Sequence, residues 1–499
     1  MGSSAAQTRR STTWLVTAVV AVLAVAVRWR LVGGAQGLRS YHGYDDGVYF
    51  ASAMSFVHGA VPYRDFLLLH PPGIMLALAP FAALAHWTSD STAFAAARVA
   101  FILVGAASTV LVTRIARRWG TVAAVVAGVL YALSSAAAYA DRLTLLEPLG
   151  TLTLLGAVVL LLRAAESRVP ARWQWAAGAV LGLGVVVKIW AVVPAAIVVA
   201  WQLWTQGRRP ALRTGVGALV STAVVVAPFA VLAGPRMFRL VVQDQLGRPR
   251  EHTSTVARLG SITGVDVTVV PGTDPLRTVL VALVLAGIAA AAVVAWRGAR
   301  GRLWVVLLVV QSGVLLASPS YLPHYAAYPA PALVLVVAAA VSLVPAPSRL
   351  AVATATCLAL GLVGGALAPA PQASFPAAQI RERLPEQGCV RSDSPAALVL
   401  LDVYSRDLAR GCDVPVDLSG QTYDEGSRDA QGRPVPRVEN QQWQHAAVRY
   451  LTSGAATVLA RGTGNGFDAE TTEELHELTT VYHLHGVRLL LPGAATDDD

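Results

Sequence analysis

The chain has 499 residues, 55% of them hydrophobic and only 14% charged. A soluble globular protein of this size does not need so much apolar surface, so the composition excludes a soluble enzyme and indicates a polytopic membrane protein. The net charge of +9 does not argue for nucleic acid, because much of the basic charge lies in short clusters between apolar segments, the topogenic pattern of membrane loops.

In chain order, apolar segments long enough to span, or nearly so, fall near 14–32, 93–113, 121–139, 147–164, 174–187, 189–204, 212–233, 276–296, 303–318, 325–343 and 350–368. The first lacks a small-residue cleavage site and is expected to remain as an anchor. Segment 72–88 is also apolar, but arginine placement argues against its crossing. If it does not cross and Arg9 and Arg10 are cytoplasmic, the clusters Arg114/Arg117/Arg118, Arg163/Arg168/Arg172, Arg208/Arg209/Arg213, Arg297/Arg300/Arg302 and Arg349 share the cytoplasmic side. If it crosses, all of them lie outside. Pro71, Pro72 and Pro80 suit a re-entrant or juxtamembrane helix on the outer face. The expected fold is therefore a helical membrane domain, 1–371, with about 11 spans, and an exported C-terminus.

From about Gln372 the composition becomes that of a soluble protein, so 372–499 is expected to be a small extracytoplasmic α/β domain. Val390 starts a strand, Ala396–Ala409 reads as a helix, Val414–Val416 as a second strand and Trp443–Leu451 as a helix. Ala456–Ala460 is extended, Glu473–Leu484 helical and Val487–Leu491 extended, an alternation that predicts a parallel sheet. Cys389 and Cys412 would each precede a strand and meet at one sheet edge, where an external compartment permits a disulfide. Cys357 lies in an apolar run and reads as inert filler.

The most informative stretch follows the first span. It contains Tyr44-Asp45-Asp46-Gly47-Val48-Tyr49, then Pro62-Tyr63-Arg64-Asp65-Phe66, then His70-Pro71-Pro72-Gly73. Adjacent carboxylates beside a span are costly near hydrocarbon, although an acidic solvated loop is the plain alternative. The combined pattern resembles the first outer loop of the GT-C membrane glycosyltransferases, in particular the bacterial aminoarabinose transferase and protein O-mannosyltransferase branch. The resemblance covers about residues 14–340.

That resemblance implies that Asp45, matching the first acid of the family's Asp-Glu pair, lies at the catalytic centre as the base. Asp46 stands where the family usually has Glu, with capping of the following helix as its structural alternative. Glu147, in Asp141-Arg142-Leu143-Thr144-Leu145-Leu146-Glu147-Pro148, is the second catalytic acid, or a first-turn carboxylate favoured by the helix dipole. Asp45 and Glu147 could together hold a divalent cation through oxygen ligands. His70 corresponds to a Lys or His of the family that contacts donor phosphate. Arg64 is a further substrate-binding candidate, with pairing to Asp65 as its structural alternative. Lys188, the chain's only lysine, follows Gly182-Leu183-Gly184, similar to a glycine-rich span ending in Lys, and is read as a phosphate contact or as a snorkelling side chain. Pro323-His324-Tyr325 resembles the family's late Pro-His-Tyr motif, in which His324 would donate to phosphate or sugar and Tyr325 would stack on a sugar. An interfacial aromatic belt explains the tyrosine equally well.

Sugar transfer from a lipid phosphate requires a carboxylate at the acceptor hydroxyl and positive charge at the leaving phosphate. The expected function is transfer of a monosaccharide from a polyprenyl-phosphate donor to an envelope glycan, lipid or protein acceptor at the outer face of a bacterial plasma membrane. The alternatives are a transporter or flippase of lipid-linked glycan and a non-catalytic glycan-binding membrane protein.

Overall fold

The computed structural model describes residues 2–249, 253–265, 275–363, 375–424 and 428–492. Among these, seven helices are long and apolar enough to cross a membrane: Trp14–Val32, Asp90–Trp119, Leu146–Glu166, Ile189–Gln206, Arg208–Ala233, Pro275–Arg297 and Pro323–Val341. The pair Thr121–Leu133 and Ser135–Asp141, bent by 59°, makes an eighth if it is one span. The bend has a local cause. Ser134 leaves the helix and its side chain accepts from the Ala137 N–H, capping the second piece. The remaining expected spans also fall on helices, but Arg302–Ala317 is shorter, and Pro170–Val187 and Ala346–Val363 are not among the seven. Residues 364–368 of the last expected span lie outside the described residues. The protein is thus polytopic and mostly helical, with seven or eight clear spans among the described residues.

Two compact units emerge. The first comprises Met1–Gly34, Ala100–Val224 and Glu251–Ala370. Its core is built from Val, Leu and Ala side chains on helices such as Thr121–Leu133, Leu146–Glu166, Pro170–Val187 and Ala330–Val341. Small residues let these helices approach closely. A Cβ added at Gly178 would lie 2.2 Å from the Thr214 carbonyl oxygen, and one at Gly182 would lie 2.3 Å from that of Ala218. The unit also buries an ion pair: Arg28 Nη2 donates to Asp141 Oδ2 at 2.6 Å, and Arg28 Nη1 donates to the Ala24 and Ala132 carbonyls. Gly105 leaves room for the pair, since a Cβ there would lie 2.5 Å from both Arg28 Nε and Asp141 Oδ2.

The second unit comprises Ala35–Val99, Val225–Arg250 and Pro371–Asp499. Segment 72–88 forms Gly73–Ala83 and a 3-10 turn, Leu84–His86. At 1.5 Å per residue, this element extends about 21 Å, less than the roughly 30 Å hydrocarbon core. It packs beside Asp45–Val57. That helix also meets Pro395–Leu400 closely: a Cβ at Gly47 would lie 2.4 Å from the Ala396 Cβ.

The C-terminal sheet has four strands, β1 (Val390–Ser392), β2 (Ala456–Leu459), β3 (Thr479–Leu484) and β4 (Val487–Leu491), in the order β1-β2-β4-β3. Val390 pairs with Ala456 in the only parallel ladder of this sheet, and β4 runs antiparallel to both of its neighbours. The expected all-parallel sheet is therefore corrected in two places. The sequence reading made Glu473–Leu484 one helix, but the helix is Ala469–His476 and the remainder is strand. His485 and Gly486, at φ 50° and 80°, make a two-residue turn of the kind that closes hairpins. Val414–Val416 is a loop, and Pro415 lacks the N–H that a ladder requires. Cys389 and Cys412 are nevertheless bonded, with Cα atoms 5.9 Å apart. Cys412 arrives from the end of helix Tyr404–Ala409, where its N–H donates to the Asp407 carbonyl.

Candidate functional site

In the second unit the acid pair opens helix Asp45–Val57, where first-turn carboxylates are favoured by the helix dipole. The two acids diverge. Asp46 is buried, and its Oδ2 accepts from Arg98 Nη2 at 2.7 Å and Nε at 3.1 Å. Tyr44, not Asp46, holds the N-cap position, without a side-chain bond. Arg98 Nη1 donates to the Leu38 and Ser40 carbonyls at 2.7 and 2.8 Å, tying down the chain that leads into the acid pair. Asp45, one residue earlier, is only half-buried.

Tyr44 is held by the C-terminal segment of the same unit. Its hydroxyl donates to Asp417 Oδ1 at 2.8 Å and accepts from the Ser419 N–H at 2.9 Å, while the Arg461 guanidinium lies 4.0 Å from its ring centroid. Burial raises the Asp417 pKa, opposed by the hydrogen bond from Tyr44. The His70 ring meets Tyr49 edge-on at 5.5 Å, and the His70 carbonyl accepts from the buried Tyr63 hydroxyl at 2.7 Å. Tyr63 adopts φ 67°, an uncommon conformation for a non-glycine residue. The Pro62–Phe66 turn fixes it: the Tyr63 N–H donates to the Phe66 carbonyl and Asp65 Oδ2 accepts from the Val61 N–H. Arg64 takes its structural alternative, pairing with Asp65 at 2.7 Å on the surface. Its hydrogen bond helps to hold the Asp65 pKa down to about 2.

The first unit brings four other candidates together. Helix Leu146–Glu166 places Glu147 in its first turn, buried. Lys188 breaks the helical path between Pro170–Val187 and Ile189–Ala191 with an extended backbone, φ −143° and ψ 126°. This break turns its side chain inward, and Nζ donates to Glu147 Oε1 at 2.5 Å. Lys188 does not snorkel; it is 7% exposed. Its ammonium lies 4.0 Å from the Tyr325 ring centroid and 4.4 Å from that of Trp190, where aromatic quadrupoles favour a cation. His324 stands edge-on to Tyr325 at 4.8 Å. Tyr328 supports the group by donating to the Trp190 carbonyl at 2.9 Å, and its own carbonyl accepts from Gln311 Nε2.

The sequence reading missed Arg98, Arg28 and Trp190. A signal existed for Arg98, a lone charge within an apolar run, where charges are expensive and need a partner. The residues do not fit a metal well. Among the described residues no group of three or more His, Cys, Asp or Glu could hold one. Of the two expected ligands, Asp45 and Glu147, the second already accepts from Lys188 at Oε1.

Residues 69–233 match the family model described as dolichyl-phosphate-mannose-protein mannosyltransferase. No curated protein matches the sequence. Among solved structures, ArnT from Cupriavidus metallidurans in the apo state matches with a TM-score of 0.61 and 14% identity, covering 96% of this chain and 98% of that one. The same protein bound to undecaprenyl phosphate gives 0.59 and 15%, with 97% and 99% covered. The oligosaccharyltransferase AglB from Archaeoglobus fulgidus, with an inhibitory peptide and a dolichol-phosphate, gives 0.58 and 13%, with 90% and 69% covered. At such identities these structural matches speak to fold. The chain thus has the fold of these GT-C membrane proteins, and over residues 69–233 it is similar to the mannosyltransferase family.

Proposed function

We propose that the protein transfers a monosaccharide from a polyprenyl-phosphate donor to an acceptor hydroxyl outside the cytoplasm, at the plasma membrane of a bacterium. Asp45 takes the proton from the acceptor hydroxyl as its oxygen attacks the anomeric carbon. The bond from that carbon to the phosphate oxygen breaks, and polyprenyl phosphate leaves with the configuration inverted. Asp46 positions the turn that carries Asp45. Lys188, His324 and His70 bind donor phosphate, and Tyr325 contacts sugar or acceptor. No step is assigned to a metal.

The observation that carries this reading is the division of labour within the acid pair. One carboxylate is buried against a guanidinium, while its neighbour remains half-exposed and able to meet a substrate. The neighbours' bound lipids also support the donor class, since ArnT was solved with undecaprenyl phosphate and AglB with dolichol-phosphate.

The proposed topology leaves segment 72–88 uncrossed and residues 372–499 exported, and helix directions in the first unit support the first of these. Arg28 lies against Gly105, while Trp14 and Thr17 share a cavity with Arg114 and Arg117, so the first helix runs antiparallel to the helix ending at Ala116. An even number of crossings, including none, between those two helices satisfies that arrangement. A reporter active only in the cytoplasm, fused after Asp499, is expected to be silent, and strong activity there would refute the orientation.

The deciding experiment for the chemistry is turnover of a purified polyprenyl-phosphate sugar by wild type and Asp45→Asn. General-base loss costs about 10²- to 10⁴-fold, with donor binding retained. Near-wild-type turnover by Asp45→Asn would eliminate the proposed base.

A further inference from the structure

A cavity of about 360 Å³ opens in the first unit, away from every residue assigned above. Its volume falls in the range of small-ligand sites, roughly 300–1,000 Å³. Three helices form it: Trp14 and Thr17 begin the apolar part of helix Gly2–Val32, Thr113, Arg114 and Arg117 lie at the end of the second span, and Thr121 starts the third. Its walls are otherwise apolar, and among the described residues no carboxylate lines it. Arg114 and Arg117 are exposed, and among the described residues neither side chain makes an ion pair. Trp14 is 75% exposed, at a span end where a tryptophan is suited to the headgroup level.

We propose that this cavity binds the headgroup of an anionic phospholipid from the leaflet at which the first span begins. Arg114 and Arg117 pair with the lipid phosphate, Thr121 offers a hydroxyl to the same group, and the apolar wall accommodates the upper acyl chain. Charge complementarity selects this occupant. Among the described residues the cleft has two cations and no anion, and basic pockets between spans suit acidic lipid headgroups. The site is separate from sugar transfer and does not rest on the assignment of Asp45.

The test uses the full chain in lipid nanodiscs of phosphatidylcholine, titrated with phosphatidylglycerol and read by native mass spectrometry of the retained lipid. Wild type is expected to retain phosphatidylglycerol over phosphatidylcholine. Each arginine near a membrane surface contributes about fivefold, so Arg114→Ala with Arg117→Ala should weaken retention roughly thirtyfold. Arg114→Lys with Arg117→Lys should keep most of it, which separates charge from folding. Equal retention of the two lipids by wild type, or unchanged retention in the double alanine variant, would overturn the proposal. Displacement of the lipid by millimolar inorganic phosphate would also overturn it, because the site would then recognise a free anion. Should the alanine variant not fold, the wild-type comparison and the lysine variant still decide the matter.

Discussion

Removing the Arg98 guanidinium should destabilise the second unit more than any surface substitution. Both side chains of the Arg98–Asp46 pair are 0% exposed, and the carboxylate accepts two of the arginine's N–H groups. Arg98→Met keeps the length of the side chain but leaves a buried carboxylate without its cation, a loss of about 3–5 kcal/mol. The Leu38 and Ser40 carbonyls lose a donor as well, at about 1–3 kcal/mol for each one left buried and unsatisfied. Asp46→Leu alone strands the guanidinium at similar cost. The double variant removes both charges and should recover most of either loss, since replacing a buried pair by apolar groups is often neutral. The assay is a double-mutant cycle on unfolding free energy in mixed micelles, alongside donor turnover. Refutation would be a loss below about 1 kcal/mol for Arg98→Met, or strictly additive single losses, because either result means that the pair is not coupled. Turnover in a folded double variant should remain low if Asp46 positions Asp45 through this turn.

Lys188→Ala should weaken donor affinity and also destabilise the first unit by about 3–5 kcal/mol, because Glu147 is left buried without its cation; Lys188→Ala with Glu147→Gln should restore folding but not donor affinity, as read by lipid-phosphate titration. Reduction of Cys389–Cys412, which closes a 23-residue separation, should cost roughly 3 kcal/mol. Thiol labelling without reductant should find neither cysteine free, and two reactive thiols in folded protein would contradict the bond. The raised pKa of Asp417 means that the folded chain binds a proton more tightly than the unfolded chain. Stability should therefore fall as pH rises from about 3.8 to the folded value; Asp417→Asn should flatten that dependence in unfolding midpoints, and an unchanged slope would rule out this source.

Much of this protein was legible from local physics. Long apolar runs separated by arginines demand membrane helices whatever their neighbours, because an unpaired backbone amide cannot remain in hydrocarbon. The proline pattern of 71–80 marked a short element, and the structure contains a helix too short to span there. Cys389 and Cys412 were paired correctly, although by way of a strand that does not exist. Partners were not legible. Asp45 and Asp46 are chemically identical neighbours in the sequence, and only the arrival of Arg98 buries one and leaves the other half-exposed. Lys188 reads as a snorkelling side chain or a phosphate ligand until the helix break turns it onto Glu147, Trp190 and Tyr325. The parallel sheet was misjudged for the same reason. Period and composition report which face of an element is apolar, whereas strand direction and ion-pair choice depend on contacts between residues far apart in the chain, and those exist only once it has folded.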